Sequence, residues 1–456
     1  MINKIKENKF VKSTIILLLG GFLSKFLGFI LRIIITRYIG TTGIGIYSLL
    51  GPSMGILNTL AIFSYPTAIS TLIASRNKST KKIIFSIIPV SILINIFIIL
   101  VTILIAPLLS KQLLNEPMLY YPIICIGITL PFIGLSSIIK SYYWGHQNMG
   151  PYILSNIVEQ IVRIILLVIW VPKLIKISLM ITISVIILVN VISETSSIIV
   201  MLLFLPKGIS IKKEDLRIDK NSIKDVMNIS IPSTSSKIIG SIFYFFEPII
   251  ITNVLLYIGY SKDYIITQYG IINGYALTLL LLPSFFTQSM STSLIPELSK
   301  YYSLKDYNKC IKRIKQIVLI SLLIGFISTS IIYLFPDKLL NVLYHTKEGI
   351  NYIRILAPFT LLYFIEIPLN NSLQALGKAK TVMKITVFGE TIRTLCLIIF
   401  SFFKIGMYSL VIAIILNLIT STTLYYRETS KLFKNLWIWF INWKIFFISW
   451  SYKYFS

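Results

Sequence analysis

The sequence has few charged residues, and fewer than a third of them are acidic. Only 13% of its 456 residues are charged, about half of the roughly 25% found in soluble domains. Together with a hydrophobic content of 55%, this excludes an ordinary soluble enzyme. The three cysteines and two histidines are scattered, without CxxC or HExxH spacing, so no disulfide framework, metal site or cofactor is predicted. A phosphate-binding GxxxxGK[ST] loop is also absent, which argues against ATP-driven transport by this chain and against an enzyme.

The apolar residues instead lie in blocks of about 20 or more. At 1.5 Å per residue, such a block crosses a hydrocarbon core about 30 Å thick. We therefore predict an all-α polytopic membrane protein with about twelve transmembrane helices. The predicted spans are roughly 13–36, 44–74, 82–107, 118–140, 151–171, 177–205, 226–255, 268–298, 316–335, 351–376, 381–403 and 406–426. Prolines within these spans are expected to kink them, among them Pro66, Pro131, Pro283 and Pro368.

Positive charge far outweighs negative charge, with 43 Lys and Arg residues against 17 Asp and Glu residues. In a soluble protein this excess would suggest a nucleic-acid partner. Here most of the basic residues fall in loops on one side of the predicted spans, as the positive-inside rule requires of cytoplasmic loops. We therefore predict a multi-pass protein of the plasma membrane, with both termini in the cytoplasm and no nucleic-acid partner.

The longest polar stretch, 206–225, follows the sixth predicted span and is rich in basic residues. A weak repeat supports a division there, because the run Ile33–Thr36 reappears as Ile249–Thr252. Since each half has an even number of spans, both halves insert in the same direction. We predict an N-terminal six-helix lobe at 1–205, a cytoplasmic linker at 206–225 and a C-terminal six-helix lobe at 226–430. A pseudo-two-fold axis along the membrane normal would relate the lobes, with a cavity between them.

The C-terminal segment, 431–456, differs from the predicted spans. Its apolar part, Leu436–Trp450, is short, rich in tryptophan and interrupted by Lys444. Aromatic residues of this kind concentrate at membrane interfaces. The segment is therefore predicted to be an interfacial helix or a short thirteenth helix.

Two cations lie within the first predicted span. Lys25 is about 18 Å from the start of the span at 1.5 Å per residue, too deep for easy snorkelling to the surface. Gly21, Lys25, Gly28 and Arg32 are spaced four, three and four residues apart, so they share one helical face. This cationic stripe predicts an anion-binding surface with room beside it. Alternatively, Arg32 snorkels outward and Lys25 pairs with a glutamate of another helix, Glu159 or Glu194.

Further charges lie in the seventh span. Lys237 follows the hydroxyl-rich run 232–236 at similar depth, and it is the third predicted substrate-binding residue. Glu247 lies further along the same span. Alternatively, Lys237 and Glu247 form an ion pair with each other or with charged residues of other helices.

Other acidic residues within the spans divide into two classes. Glu159 with Arg163, and Glu390 with Arg393, are four and three residues apart and are predicted to form structural ion pairs. A second class consists of Glu194, Glu247 and Glu366, which could either couple transport to protons or sodium or pair with cations of other helices. Transport could also be coupled to the membrane potential, which would not require these carboxylates to bind an ion.

Several short runs carry a resemblance to a known family. They are Gly20–Arg32 (GGFLSKFLGFILR), Gly45–Tyr47 (GIY), Tyr65–Ser70 (YPTAIS), Gly145–Gly150 (GHQNMG) and Val158–Arg163 (VEQIVR). These runs resemble the stage V sporulation protein B branch of the multidrug/oligosaccharidyl-lipid/polysaccharide (MOP) flippase superfamily, among the polysaccharide biosynthesis proteins.

This resemblance implies a two-lobed, MATE-like exporter of twelve to fourteen helices. Such a flippase would move an undecaprenyl-linked cell-wall precursor, lipid II for spore cortex peptidoglycan, to the outer leaflet, in partnership with cell-wall synthesis enzymes. It also implies that basic residues of the first helix hold the pyrophosphate in the central cavity. Lys25 matches that position, whereas Arg32 is shifted by one residue from the second basic position of related lipid II flippases.

Other functions are compatible with the residues alone. A cation-coupled multidrug antiporter would need carboxylates in its cavity, for which Glu194, Glu247 and Glu366 are available. Another lipid-linked polysaccharide unit could be the flipped substrate, and a scaffold for wall synthesis would transport nothing.

Overall fold

The computed structural model describes residues 2–74, 80–146, 148–205 and 218–432. Within these ranges the regular secondary structure is entirely helical, as the sequence predicts. The α-helices are α1 Ile2–Ile62, α2 Tyr65–Ala74, α3 Thr80–Leu108, α4 Tyr120–Gly145, α5 Met149–Leu174, α6 Leu179–Leu203, α7 Lys220–Ile258, α8 Lys262–Gly270, α9 Leu277–Leu281, α10 Ser284–Ser293, α11 Ile295–Ser303, α12 Tyr307–Leu334, α13 Pro336–Tyr344, α14 Ile350–Ala375, α15 Ala379–Ser401 and α16 Tyr408–Leu432. α1 consists of two helices joined by a kink at Gly40, whose φ of 66° and ψ of −173° are not helical. Two π-helical turns, Leu109–Leu113 and Ile271–Ala276, and a 3-10 turn, Pro117–Leu119, connect some of them.

Nine helical segments in the described ranges are long and apolar enough to cross a membrane. This agrees with the prediction of a polytopic all-α membrane protein, because an α-helix satisfies its own backbone hydrogen bonds in lipid. The count of twelve spans stays a prediction.

Two predicted spans are interrupted. A break at Phe63 and Ser64, both with positive φ, separates α1 from α2 just before Pro66. The predicted span 268–298 contains a π-helical turn and a further break at Pro283. Proline lacks an amide donor and is best tolerated in the first turn of a helix, which accounts for the breaks beside Pro66 and Pro283. Pro131 and Pro368 lie inside the continuous helices α4 and α14.

The chain forms two compact units. Of the described residues, the first unit contains those within 1–278, 337–350 and 397–410, and the second contains 279–336, 351–396 and 411–432. The lobes predicted at 1–205 and 226–430 stay a prediction. Most of the predicted linker, 206–217, lies outside the described residues, and so does almost all of the predicted C-terminal helix, 433–456.

Each unit has its own apolar core. In the first unit, buried residues of α2, α3 and α4, including Ile69, Ile87 and Ile138, pack with Val226 of α7. In the second unit, α12, α14, α15 and α16 pack around a cluster that contains Val318, Leu369, Ile385 and Tyr425. The burial of these apolar side chains stabilises each unit.

Gly325 allows α12 to approach α14 in the second unit. A Cβ atom built on Gly325 would lie 2.7 Å from Cγ of Phe364, whose side chain is fully buried and has little room to move. We expect Gly325→Ala to destabilise the protein by about 1–3 kcal/mol, the usual cost of overpacking a core. Thermal unfolding in detergent measures this effect. Gly240→Ala is the control, because no atom of the described residues lies within 4 Å of its added Cβ. An equal unfolding temperature for both variants would contradict the expectation.

Candidate functional site

The cationic stripe lies on α1, in the first unit. Lys25 is exposed and makes no hydrogen bond or ion pair with any residue the structure describes. The position beside it is open, because a Cβ atom built on Gly21 would meet no atom of a described side chain within 4 Å. A Cβ on Gly28 would only approach the side-chain oxygen of Gln160, at 3.8 Å. Among the described residues, the stripe therefore presents a cation that no carboxylate compensates, beside a glycine position that no neighbouring side chain fills.

Arg32, at the other end of the stripe, differs from Lys25. It is half-buried, and its Nη2 atom donates a hydrogen bond of 2.9 Å to the backbone carbonyl of Asn273. Its Nε atom is buried and has no hydrogen-bond partner among the described residues. Arg32 thus contacts the π-helical turn Ile271–Ala276, and its role in substrate binding stays a prediction.

The two charged residues of α7 have different surroundings. Lys237 is exposed and, like Lys25, has no ion-pair partner in the described part of the chain. Glu247 is buried, and its Oε1 atom accepts a hydrogen bond of 3.2 Å from the hydroxyl group of Tyr269. The structure therefore does not pair Lys237 with Glu247, which was one alternative from the sequence.

Four charged side chains of α4, α5 and α6 form a half-buried to buried group, here called the α4–α6 charge network. Lys140 Nζ lies 3.3 Å from Glu159 Oε2 and 3.7 Å from Glu194 Oε2. Arg163 lies 2.9 Å from Glu159 Oε1 and also donates two hydrogen bonds to Ser193 Oγ, at 3.1 and 3.2 Å. Two cations thus compensate two carboxylates away from water, as buried charges require.

Sequence reasoning missed the role of Lys140 in this network. Its position at the end of a predicted span suggested a cytoplasmic loop residue, whereas it is the cation that contacts both Glu159 and Glu194. The alternative that Lys25 pairs with one of these glutamates is therefore not found among the described residues. The intrahelical contact between Glu159 and Arg163 is present, while its purely structural role stays a prediction.

The second unit holds a smaller group of charges. Glu390 Oε2 lies 3.8 Å from Arg393, and its Oε1 atom accepts a hydrogen bond of 3.3 Å from Asn417. Glu366 of α14 is half-buried and lies close enough to Glu390 for their charges to repel. It makes no ion pair or hydrogen bond with any described residue. A proton or a monovalent cation could therefore compensate Glu366, whereas no group of three His, Cys, Asp or Glu side chains in the described ranges could hold a metal ion.

Charge-swapped variants distinguish the two intrahelical pairs. In the Glu159→Arg, Arg163→Glu variant the new arginine would face Lys140, so we expect low protein abundance, as in the single variants. In the Glu390→Arg, Arg393→Glu variant the charge of the new arginine would attract that of Glu366 where Glu390 repels it, so we expect the swap to recover the abundance that the single variants lose. Membrane abundance by immunoblot is the readout. Equal recovery for both swaps would contradict this expectation. If a swapped variant has normal abundance but transports nothing, its ion pair takes part in transport.

Comparison with known proteins identifies the family. The family of polysaccharide biosynthesis proteins matches residues 10–302, and the MatE family matches residues 272–402. Stage V sporulation protein B of Bacillus subtilis (strain 168) is 31% identical over 436 residues, which are 93% of this chain and 84% of that protein. The lipid II flippase MurJ of the same organism is 26% identical over 174 residues, which are 35% of this chain and 32% of that protein.

A solved structure shows which fold the chain adopts. The inward-facing conformation of a multidrug resistance MATE family transporter of the MOP superfamily matches with a TM-score of 0.72 and 14% identity. The match covers 90% of this chain and 94% of that one, so the two proteins share a fold. These findings confirm the resemblance seen in the sequence. The chain therefore belongs to the family of polysaccharide biosynthesis proteins, as a multi-pass helical membrane protein with the two-lobed fold of MATE transporters.

Proposed function

We propose that this protein is a flippase that moves a lipid-linked anionic glycan from the cytoplasmic to the outer leaflet of the plasma membrane. Its substrate is an undecaprenyl-linked cell-wall precursor, and lipid II for spore cortex peptidoglycan is the specific candidate. Alternating access of the two predicted lobes moves the headgroup, without catalytic chemistry and with both termini in the cytoplasm. The names of the relatives, a sporulation protein and a lipid II flippase, support this choice of substrate.

Lys25 carries the proposal. A pyrophosphate headgroup leaves water when it enters a transporter, and an uncompensated buried charge costs several kcal/mol. Fixed cations close to the phosphates reduce this cost. Lys25 provides such a cation, and no carboxylate of a described residue pairs with it. Gly21, on the same helical face, leaves space for the ligand. The apolar prenyl chain needs no polar site and can stay in lipid.

Reconstitution in vesicles tests the proposal. Purified protein is inserted with fluorescent lipid II or with another undecaprenyl-linked polysaccharide unit, and movement between leaflets is followed with and without an imposed membrane potential. Protein-dependent flipping of lipid II is the expected result. If only the second lipid is flipped, the substrate is that polysaccharide unit and not lipid II. If neither lipid moves, the proposal is contradicted.

Glu366 favours a second candidate function, cation-coupled export of cationic drugs. This acidic residue lies near Glu390 and has no ion-pair partner in the described ranges, as a site for a coupling ion would require. An antiporter would export a cationic dye in exchange for protons or sodium and would depend on Glu366. Dye efflux from the same vesicles, driven by an imposed proton or sodium gradient, separates the two functions.

A further inference from the structure

One exposed face of α15, in the second unit, combines two cations with large apolar side chains. We propose that this face, here called the α15 lipid face, binds an anionic phospholipid. Lys380 and Lys384 would hold the phosphate, and an acyl chain would lie along Phe388 and Leu395. The inference concerns the surface of the second unit and does not depend on which substrate the protein moves.

The four residues share one side of the helix. Lys380, Lys384 and Phe388 are spaced four residues apart, and Leu395 follows seven residues later. Both lysines are exposed, and Phe388 and Leu395 are each 53% exposed. On a protein that crosses the membrane, a large exposed apolar surface is covered by acyl chains, because its exposure to water is unfavourable.

The opposite side of α15 packs on α16. A Cβ atom built on Gly389 would lie 2.4 Å from a side-chain oxygen of α16, and Thr386 Oγ1 lies 3.0 Å from the hydroxyl oxygen of Tyr425. At 3.6 residues per turn, Lys384 and Phe388 are each about 160° around the helix from Thr386. The α15 lipid face therefore points away from α16.

The two lysines have no counter-charge among the described residues. Lys380 and Lys384 make no ion pair or hydrogen bond there. Glu390, the only acidic residue of α15, lies on the side that packs on α16 and accepts a hydrogen bond of 3.3 Å from Asn417. Two like charges four residues apart also repel each other. An anion bound between the lysines would remove this repulsion and supply the counter-charge.

Three other basic residues of the second unit have carboxylate partners. The distances between the charged atoms are 2.7, 2.9 and 2.5 Å for the pairs Lys309 with Asp306, Arg313 with Glu297, and Lys431 with Glu428. The lysines of the α15 lipid face lack such a partner in the described part of the chain, as a site for an external anion requires.

An anionic phospholipid fits both parts of this face. The positive-inside pattern predicts that the lysines lie at the cytoplasmic leaflet, where anionic headgroups attract basic residues. From Lys384 to Leu395 the helix rises about 16 Å, which is close to half of a hydrocarbon core about 30 Å thick. A zwitterionic phospholipid carries its own cation beside the phosphate and would leave the two lysines without a full counter-charge.

Native mass spectrometry of the purified protein tests the site without a transport assay. The protein is titrated with phosphatidylglycerol and, separately, with phosphatidylcholine, and the affinity for the first bound lipid is measured. We expect Lys380→Gln with Lys384→Gln to lower the affinity for phosphatidylglycerol at least fivefold and to leave that for phosphatidylcholine unchanged. Lys380→Arg with Lys384→Arg keeps both charges and should bind phosphatidylglycerol like the unsubstituted protein.

Lys173→Gln with Lys176→Gln is the matched control. Both lysines are exposed in the first unit and make no ion pair with a described residue, so the substitutions remove the same two charges from another surface. The control should keep its affinity for phosphatidylglycerol. An unchanged affinity in the Lys380→Gln, Lys384→Gln variant, or an equal loss in the control, would overturn the site.

Undecaprenyl diphosphate, added in the same titration, tests for a different occupant. If it binds more tightly than phosphatidylglycerol and loses at least fivefold in affinity in the Lys380→Gln, Lys384→Gln variant, the face binds a prenyl-linked substrate and the assignment to a phospholipid is overturned. Flipping is not the readout, so a failure of the proposed function would leave the result for the α15 lipid face unaffected.

Discussion

Lys140→Met is expected to destabilise the protein by about 3–5 kcal/mol, the usual cost of removing one partner of a buried ion pair. Lys140 lies within 4 Å of both Glu159 and Glu194, so its loss leaves two carboxylates with only Arg163 to compensate them. The temperature of unfolding in detergent and the abundance in membranes should both fall.

Removal of one negative charge provides the control for this effect. The Lys140→Met, Glu194→Gln variant restores the balance between cations and carboxylates, so its unfolding temperature should recover most of the loss. An unfolding temperature of Lys140→Met equal to that of the unsubstituted protein would show that the α4–α6 charge network does not stabilise the fold.

Lys25→Ala is expected to lose most precursor flipping at normal protein abundance. The exposed ammonium group compensates no charge in the described part of the chain, so its removal should leave the fold intact and remove only the cation that we propose binds the phosphates. Lys25→Arg should keep part of the activity, since a guanidinium group preserves the charge but not the geometry of a point charge. Flipping rates in vesicles, normalised to reconstituted protein, measure the effect.

Lys176→Ala is the matched control for Lys25→Ala. Lys176 is exposed between α5 and α6 and also makes no ion pair with a described residue, so the substitution removes the same charge away from the stripe. Its flipping rate should equal that of the unsubstituted protein. An equal loss in both variants would mean that net charge, not the position of Lys25, determines activity.

The helical membrane architecture could be predicted from the sequence because its signal is local. Apolar blocks long enough to cross lipid mark the helices, and each such block is continuous in sequence. The interruptions were harder to predict. The π-helical turn Ile271–Ala276 follows Gly270, where an added Cβ would lie 2.5 Å from the backbone of Gly45, so the local geometry depends on a contact between distant parts of the chain.

In the candidate site, too, local features could be predicted from the sequence and contacts between distant residues could not. The stripe with Lys25 and Arg32 follows from helical spacing alone. The hydrogen bond from Arg32 to Asn273 joins residues 241 positions apart, and the contact of Lys140 with Glu159 crosses from one helix to the next. Residue spacing along a single helix cannot predict these partners, because they belong to other segments of the chain. Glu194 and Glu366 have no basic residue close to them along their own helices. Only the structure separates the paired Glu194 from Glu366, which is unpaired among the described residues.

The central claim is tested most directly by the rate at which variants flip a lipid-linked precursor in vesicles. The variants to compare are Lys25→Ala, Glu194→Gln, Glu247→Gln and Glu366→Gln. The flippase proposal predicts that Lys25→Ala loses most of the activity, and that the loss exceeds that of each glutamate variant. A rate in Lys25→Ala equal to that of the unsubstituted protein, together with a large loss in a glutamate variant, would contradict the claim that the stripe holds the phosphates.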